Sequence, residues 1–405
     1  MNFGSQVWGS SGQDRMTGIA VDGSGNIYAV GYTSGTWDGE TNQGGTDAFI
    51  SKFDVSGSRQ WTRLIPGTAG NDAARGVAVD SSGNVYVVGE MDFLEEVRGS
   101  GFLAKYDSSG AIQWGGPVSI SASELATARG VSADTSGYIY VTGYAKGNLY
   151  PGQPDEVVHG SSEDPFLIKF DLSGNRIWPR IWGDEGRHDY GYGVTVDNTG
   201  GHIYVVGKAY GSWDGEANAG DLDAFITKYN GSGDRQWTSF IGGTGSDSAS
   251  AVAIDGSGNI FVTGIIDSGL NLSDAFLMKF DSFGNRLWPT PVIMTTSRCD
   301  SGNSVAVDNS GNVYVTGSTA GDLDPGDTLT GGDAFLAKFG PAAGNLLWTR
   351  VWGTRDAEDN AVGLAVDSVG DIHVAGDTMG NLDGYTNAGD YDLYLIQFNS
   401  DGQRQ

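Results

Sequence analysis

The pentapeptide GIAVD ends at Asp22. Variants of it end at Asp80 (GVAVD), Asp134 (GVSAD), Asp197 (GVTVD), Asp255 (AVAID), Asp308 (SVAVD) and Asp367 (GLAVD). Successive copies lie 53 to 63 residues apart, so seven units of about 58 residues account for all 405 positions. The units run approximately over 18–75, 76–129, 130–192, 193–250, 251–303, 304–362 and 363–405 plus 1–17. A repeat of that length is one structural unit that cannot bury its own faces and must stack on its neighbours.

Each unit reads as four strands. In the first they are Gly18–Asp22, Ile27–Gly31, Asp47–Asp54 and a stretch around Trp61. The connections GSGN and VSGS are short hairpin turns, repeated later as SSGN, TSGY and NSGN. Such turns account for much of the high count of 66 Gly. Strands such as IYAVG and DAFLAKF are apolar on both alternating faces, so both faces must be covered. Pro179 (IWPRIW) and Pro289 (LWPT) fall in fourth strands, and a residue without a donor belongs on an edge. The last unit ends at DGQRQ without a fourth strand, while SQVWGSSGQD (Ser5–Asp14) parallels TRVWGTRDAED (Thr349–Asp359). Gln6–Trp8 should therefore complete the last unit's sheet. The expected fold is all-β: a single seven-bladed β-propeller domain of four-stranded antiparallel blades, its ring closed by the N-terminal strand.

AVDSSGNVYVVG (Ala78–Gly89), DAFLAKF (Asp333–Phe339) and GNLLWTRVWG (Gly344–Gly353) resemble the bacterial seven-bladed β-propeller repeat (SBBP, beta-propeller repeat) family. The resemblance runs over essentially the whole chain. It implies the propeller fold and a secreted or cell-surface bacterial setting. Met1–Ser10 has neither a basic start nor an apolar run, so no signal peptide is expected there, and a cytoplasmic location stays open.

The chain carries 23 Lys and Arg against 50 Asp and Glu, a net charge of −27. That balance repels phosphate backbones and anionic membrane surfaces, so nucleic-acid binding is not expected. No apolar stretch approaches the roughly 20 residues of a membrane span. Cys299 is the sole cysteine, which rules out an intrachain disulfide. With 11 Trp, 17 Tyr and 16 Phe, the chain can fill a large core.

Recognition is expected on the face carrying the longer loops, those after the second and fourth strands. Three groups stand out there. Asp14, Asp72, Asp189, Asp247, Asp300 and Asp359 stand four residues before the opening residues of the first strands, with Ala126 and nearby Glu124 in the third unit. They could gather Ca²⁺ or a basic group. Their recurrence favours a structural role, accepting backbone N–H bonds. The second group is the motif WDGETNQGGTDAF (Trp37–Phe49) and its returns at Trp213 and Leu382. It offers Asp38, Asn42 and Asp47, then Asp214, Asn218 and Asp223, then Asp383, Asn387 and Asp392, with Asp322, Asp324 and Asp327 as a variant. Oxygen ligands on glycine-rich turns suit a Ca²⁺ cofactor, although the EF-hand spacing is missing. The same residues also shape loops, and Trp37 and Trp213 could stack on a sugar ring. The third group is Phe93, Leu94, Leu149 and Tyr150, which sit in loops unique to one unit each and suggest a partner patch.

Lys52, Lys105, Lys169, Lys228, Lys279 and Lys338, with Gln397 in the last unit, are expected to pair with acids between blades. His159, His188, His202 and His373 lack zinc spacing, and no nucleophile elbow or phosphate loop occurs. Arg187–His188–Asp189 reads as ordinary loop surface. The expected function is a non-catalytic interaction module that offers an acidic, loop-rich face to a protein partner or surface assembly. The alternatives are a multivalent lectin and a glycan-active lyase or glycosidase with acids near the channel.

Overall fold

The computed structural model describes residues 5–37, 39–92, 99–152, 160, 162–184, 186–213, 215–269, 272–294, 296, 298–321, 323, 332–342, 344–355 and 357–405. They form seven four-stranded antiparallel sheets. Blade 1 pairs Asp14–Val21, Ile27–Thr33, Asp47–Phe53 and Arg59–Leu64 in chain order, and the next five blades repeat that order. Blade 7 pairs Asp359–Val366, Ile372–Thr378 and Asp392–Phe398, then takes Ser5–Trp8 as its outer strand. Ser5 lies opposite Ile396 and Trp8 opposite Leu393, so the two ends of the chain close one sheet as expected. Arg404 donates to both carboxylate oxygens of Asp383 (2.8 and 2.7 Å), and the Trp8 ring packs 4.7 Å from Phe53 of blade 1.

The apolar pattern is explained by stacking. Second and third strands are covered on both faces, as at Ile27, Tyr28, Ala29 and Val30, each fully buried. Between blades the lysines act differently from expectation. Lys52 Nζ donates to the Ser108 carbonyl (2.9 Å), Lys228 to Ser282 (2.6 Å), Lys279 to Pro341 (2.9 Å) and Lys338 to Ser400 (2.8 Å). Lys105 and Lys169 reach the Leu172 and Gly231 carbonyls, both at 3.3 Å. Each acceptor is in the third-strand turn of the next blade, not a carboxylate. Each ammonium also sits 5.0 to 5.7 Å from a ring of its own second strand, from Tyr28 in blade 1 to Tyr314 in blade 6. A carbonyl and a ring face satisfy a half-buried cation without the desolvation of a second charge. Blade 7 replaces the pair with His373 and Gln397, and Gln397 donates to Asp371 (2.9 Å).

Pro179 lies in the outer strand Arg176–Ile181, opposite Ile168, where its missing donor is harmless. Pro289 is not in a strand. The outer strand of blade 5 is only Val292–Met294, and the proline precedes it.

Candidate functional site

The first strands of the blades ring a central channel, and each carries the same irregularity. The register against the second strand slips between Met16 and Gly18, Ala74 and Gly76, Ala128 and Gly130, Gly191 and Gly193, Ala249 and Ala251, Gly302 and Ser304, and Ala361 and Gly363. One residue is left over each time: Thr17, Arg75, Arg129, Tyr192, Ser250, Asn303 and Val362. A bulge re-aims its extra side chain and leaves the ladder locally unpaired. Six of these residues line the channel cavity of about 210 Å³. Seven equivalent bulges thus display six different side-chain types on a repeated order of strands.

The bulge explains an invariant glycine. Opposite it stands Gly31, Gly89, Gly143, Gly207, Gly264, Gly317 or Gly376. A Cβ at these positions would lie 1.7 to 2.0 Å from a first-strand carbonyl oxygen. Only glycine lets the folded-over strand approach so closely.

Chemistry gathers where the channel meets the loop face. In blades 2 to 4, Arg75 Nε and Nη2 donate to Glu90 Oε1 (2.9 and 2.5 Å). Burial opposes ionisation of Glu90, but Arg75 and Arg129 outweigh it and hold its carboxyl below the usual range. Arg129 donates to Tyr144 Oη (3.1 Å) and faces that ring. Tyr144 meets Tyr190 edge to face at 4.9 Å, and Tyr190 and Tyr192 lie parallel, 6.2 Å apart. Lys208 Nζ stands 4.9 and 5.9 Å from those two rings. Glu163 Oε2 accepts from Tyr190 Oη (2.6 Å) and contacts His188 Nδ1 (2.9 Å). Burial and then this carboxylate push the Tyr190 phenol far up, so it stays a proton donor. On the opposite side, Arg15 donates to buried Asp377 (2.9 Å) and stacks 3.3 Å over Tyr391.

The expected site residues resolve into three outcomes. The ring aspartates are structural. All six are buried, and each accepts loop N–H groups, such as Asp72 from Thr68 (2.7 Å) and Asp92 (3.0 Å). Each also faces a third-strand aspartate of the preceding blade: Asp392 with Asp14, Asp47 with Asp72, Asp164 with Asp189, Asp223 with Asp247, Asp274 with Asp300 and Asp333 with Asp359. Burial first, then the neighbouring carboxylates, push Asp189 up to about 6. Buried between blades, these acids do not line the channel where a lyase or glycosidase reading needs them.

The opening motif shapes loops. Asn42, Asn218 and Asn387 donate back to the carbonyls of Thr33, Ala209 and Thr378, and their side-chain oxygens accept from Gly44, Gly220 and Gly389. Asp47, Asp223 and Asp392 accept from Gln43, Ala219 and Ala388. Asp383 pairs with Arg404. The Asn oxygens and one oxygen of each third-strand Asp thus already serve the loop's own backbone, while Oδ1 of Asp223 and of Asp392 is buried and makes no hydrogen bond among the described residues. Among the described residues no three His, Cys, Asp or Glu side chains converge on one point. Asp38, Asp214, Asp322, Asp324 and Asp327 lie outside the described residues.

Trp37 and Trp213 are buried, edge to face on Phe49 (4.8 Å) and Phe225 (5.1 Å), and Leu382 is buried in the sister loop. Their rings pack the loop onto the blade, which removes them as a sugar platform. Leu149 and Tyr150 are likewise buried, in the core of blades 2 and 3, rather than forming an exposed patch. Tyr150 carries the Arg176 guanidinium 3.5 Å over its ring. Phe93 and Leu94 lie outside the described residues. The bulge residues escaped the sequence reading. Their signal in the sequence is a varying column immediately before each pentapeptide.

Known proteins share this architecture. An ulvan lyase, a polysaccharide lyase, superposes with a TM-score of 0.52 at 12% identity, covering 98% of this chain and 97% of its own. A puromycin hydrolase gives 0.51 at 14% identity, covering 96% and 53%. At these identities the likeness is one of fold. An uncharacterised WD repeat-containing protein of Acanthamoeba polyphaga mimivirus is 22% identical, over 83% of this chain and 31% of its own length. The regulatory protein FlaEY of Caulobacter vibrioides is 24% identical, over 63% and 30%. The chain thus spans about a third of the length of these curated relatives. The sequence profile of the SBBP beta-propeller repeat matches at residues 3–36, 60–90, 120–151, 177–212, 236–271, 295–324 and 347–383. With seven matches over more than half its length, one within each blade's worth of sequence, the chain belongs to the SBBP beta-propeller repeat family.

Proposed function

We propose that this chain is a non-catalytic recognition propeller, a rigid ring that engages a protein partner or surface assembly through its loop face and the channel mouth there. One observation carries the reading. The blades repeat their frame closely, yet the bulged residues differ almost one by one. A purely structural ring has no need for Thr17, Arg75, Tyr192, Asn303 and Val362 at equivalent places. The mouth is also where half-exposed tyrosines and cations gather in a chain of net charge −27. A secreted or cell-surface setting rests on the family resemblance alone.

Affinity capture from extracts of the source cells tests it. A variant combining Tyr190→Ala with Tyr32→Ala, a ring 5.6 Å from the Arg75 guanidinium, is expected to lose the captured partner. A Phe283→Ser/Val369→Ser variant, altering exposed residues of the turn face, is expected to keep it. The reverse pattern, or turnover of a glycan panel by the wild type, contradicts the reading.

A further inference from the structure

Two cations at the channel mouth are incompletely satisfied. Arg75 is matched by Glu90. Arg129 gives one Nη to Tyr144, but its Nε is buried and has no hydrogen-bond partner. Leaving such a donor unmade costs about 1–3 kcal/mol, more for a charged group. Lys208 rests against Tyr190 and Tyr192, and among the described residues no acceptor bonds its Nζ. Burial draws its pKa down, only partly opposed by Glu163. Arg129 contacts Tyr144 and Lys208 contacts Tyr190 and Tyr192, and these three rings meet one another, so the two cations flank one aromatic cluster. Two under-satisfied cations are the more telling in a chain with 27 excess negative charges.

The surroundings narrow the ligand. The channel cavity that Arg129 lines also carries the hydroxyls of Ser250 and Ser304 and the side-chain oxygens of Thr17 and Asn303, whose own donors are already bonded to backbone carbonyls. Arg129 links this cavity to the phenols of the cluster through its bond to Tyr144. That lining suits a ring bearing many hydroxyls. The cavity of about 210 Å³ is below the range of about 300–1,000 Å³ usual for whole drug-sized ligands, so one ring fits rather than several. A long polyanion would be repelled by the acidic disc around the mouth. We infer that the mouth between blades 2 and 4 binds the carboxylate of a single sugar-acid residue, a uronate carried on a glycan, through Arg129 and Lys208. The inference rests on the recognition reading and names the group that enters the mouth.

Ligand-observed NMR titration with sodium D-glucuronate and D-galacturonate tests it, with glucose and galactose as uncharged counterparts and a short acidic peptide as rival. Either uronate is expected to bind at least tenfold more tightly than its neutral sugar. Lys208→Gln is expected to weaken uronate binding tenfold or more. Lys146→Gln, an exposed lysine paired with Glu124, is expected to change nothing. Arg129→Lys keeps the charge beside Glu90 should Arg129→Gln fail to fold, and is expected to weaken binding through loss of the Nε donor. Circular dichroism and melting confirm an intact ring for each variant. Absence of uronate binding to the intact wild type, equal binding of the neutral sugars, binding of the peptide alone, or undiminished binding by Lys208→Gln overturns the inference. If a partner is still captured through Tyr190 while uronates fail, the ligand class falls and the recognition reading stands.

Discussion

Gly317→Ala is expected to destabilise the fold by about 3 kcal/mol or more. Its Cβ would lie 1.7 Å from the Ser301 carbonyl oxygen and 3.0 Å from the Phe335 ring. The first contact is backbone, so no rotamer change relieves it. Overpacking of a well-filled core costs about 1–3 kcal/mol and sometimes more, and a backbone clash belongs at or beyond the upper end. The bulge at Asn303 would have to flatten, moving the inner strand away from the next blade. Urea unfolding measures the loss. Gly23→Ala, at a turn with nothing within 4 Å, is the control and is expected to unfold with the wild type. Normal stability of Gly317→Ala would mean that the bulge and the glycine opposite it are not coupled.

Deletion of residues 1–9 is expected to have the next largest effect. It removes Ser5–Trp8 from blade 7 and the contact of Trp8 with Phe53 in blade 1. Truncation of a packed tryptophan alone costs about 3–5 kcal/mol where burial is complete, and the half-buried Trp8 sets the loss on the order of 3 kcal/mol. The deletion also bares the edge of Asp392–Phe398, a strand of fully buried residues. A long apolar edge pairs with other chains. A lower melting temperature together with concentration-dependent oligomers by light scattering is expected. A monomer of unchanged stability would contradict closure through the two termini.

Architecture was legible because it rests on recurring local signals. The pentapeptides, the Gly-bearing turns and the two-faced apolar strands each appear about seven times, and Gln6–Trp8 matched the missing strand by its likeness to Val351–Trp352. Pro289 misled, because an edge signal marks a strand's place and not its length. The site was less legible, for two physical reasons. Motif residues such as Asn42 and Asp47 carry ligand-like oxygens, but the direction of a hydrogen bond cannot be read from composition, and the loop's own N–H groups use them. Trp37 and Leu149 look available because they sit in loops, yet a long loop over a blade is held down by burying such side chains. The channel residues follow the opposite logic. Thr17 to Val362 carry no motif beyond their shared column before the pentapeptide, and the strand slip shows that this column faces the channel.

The claim that the bulges deliver variable side chains to an open channel is tested most directly by thiol labelling. Cys299 is the sole native cysteine and is exposed, so Cys299→Ser gives a silent background. Ser250→Cys and Val362→Cys place a thiol at two bulges, and Val87→Cys places one inside blade 2, where the residue is fully buried. A small charged thiol reagent is expected to label the two bulge positions within minutes and to leave Val87→Cys unreacted in the folded protein. Bulge thiols as unreactive as that of Val87→Cys, in variants that melt like the wild type, would contradict it.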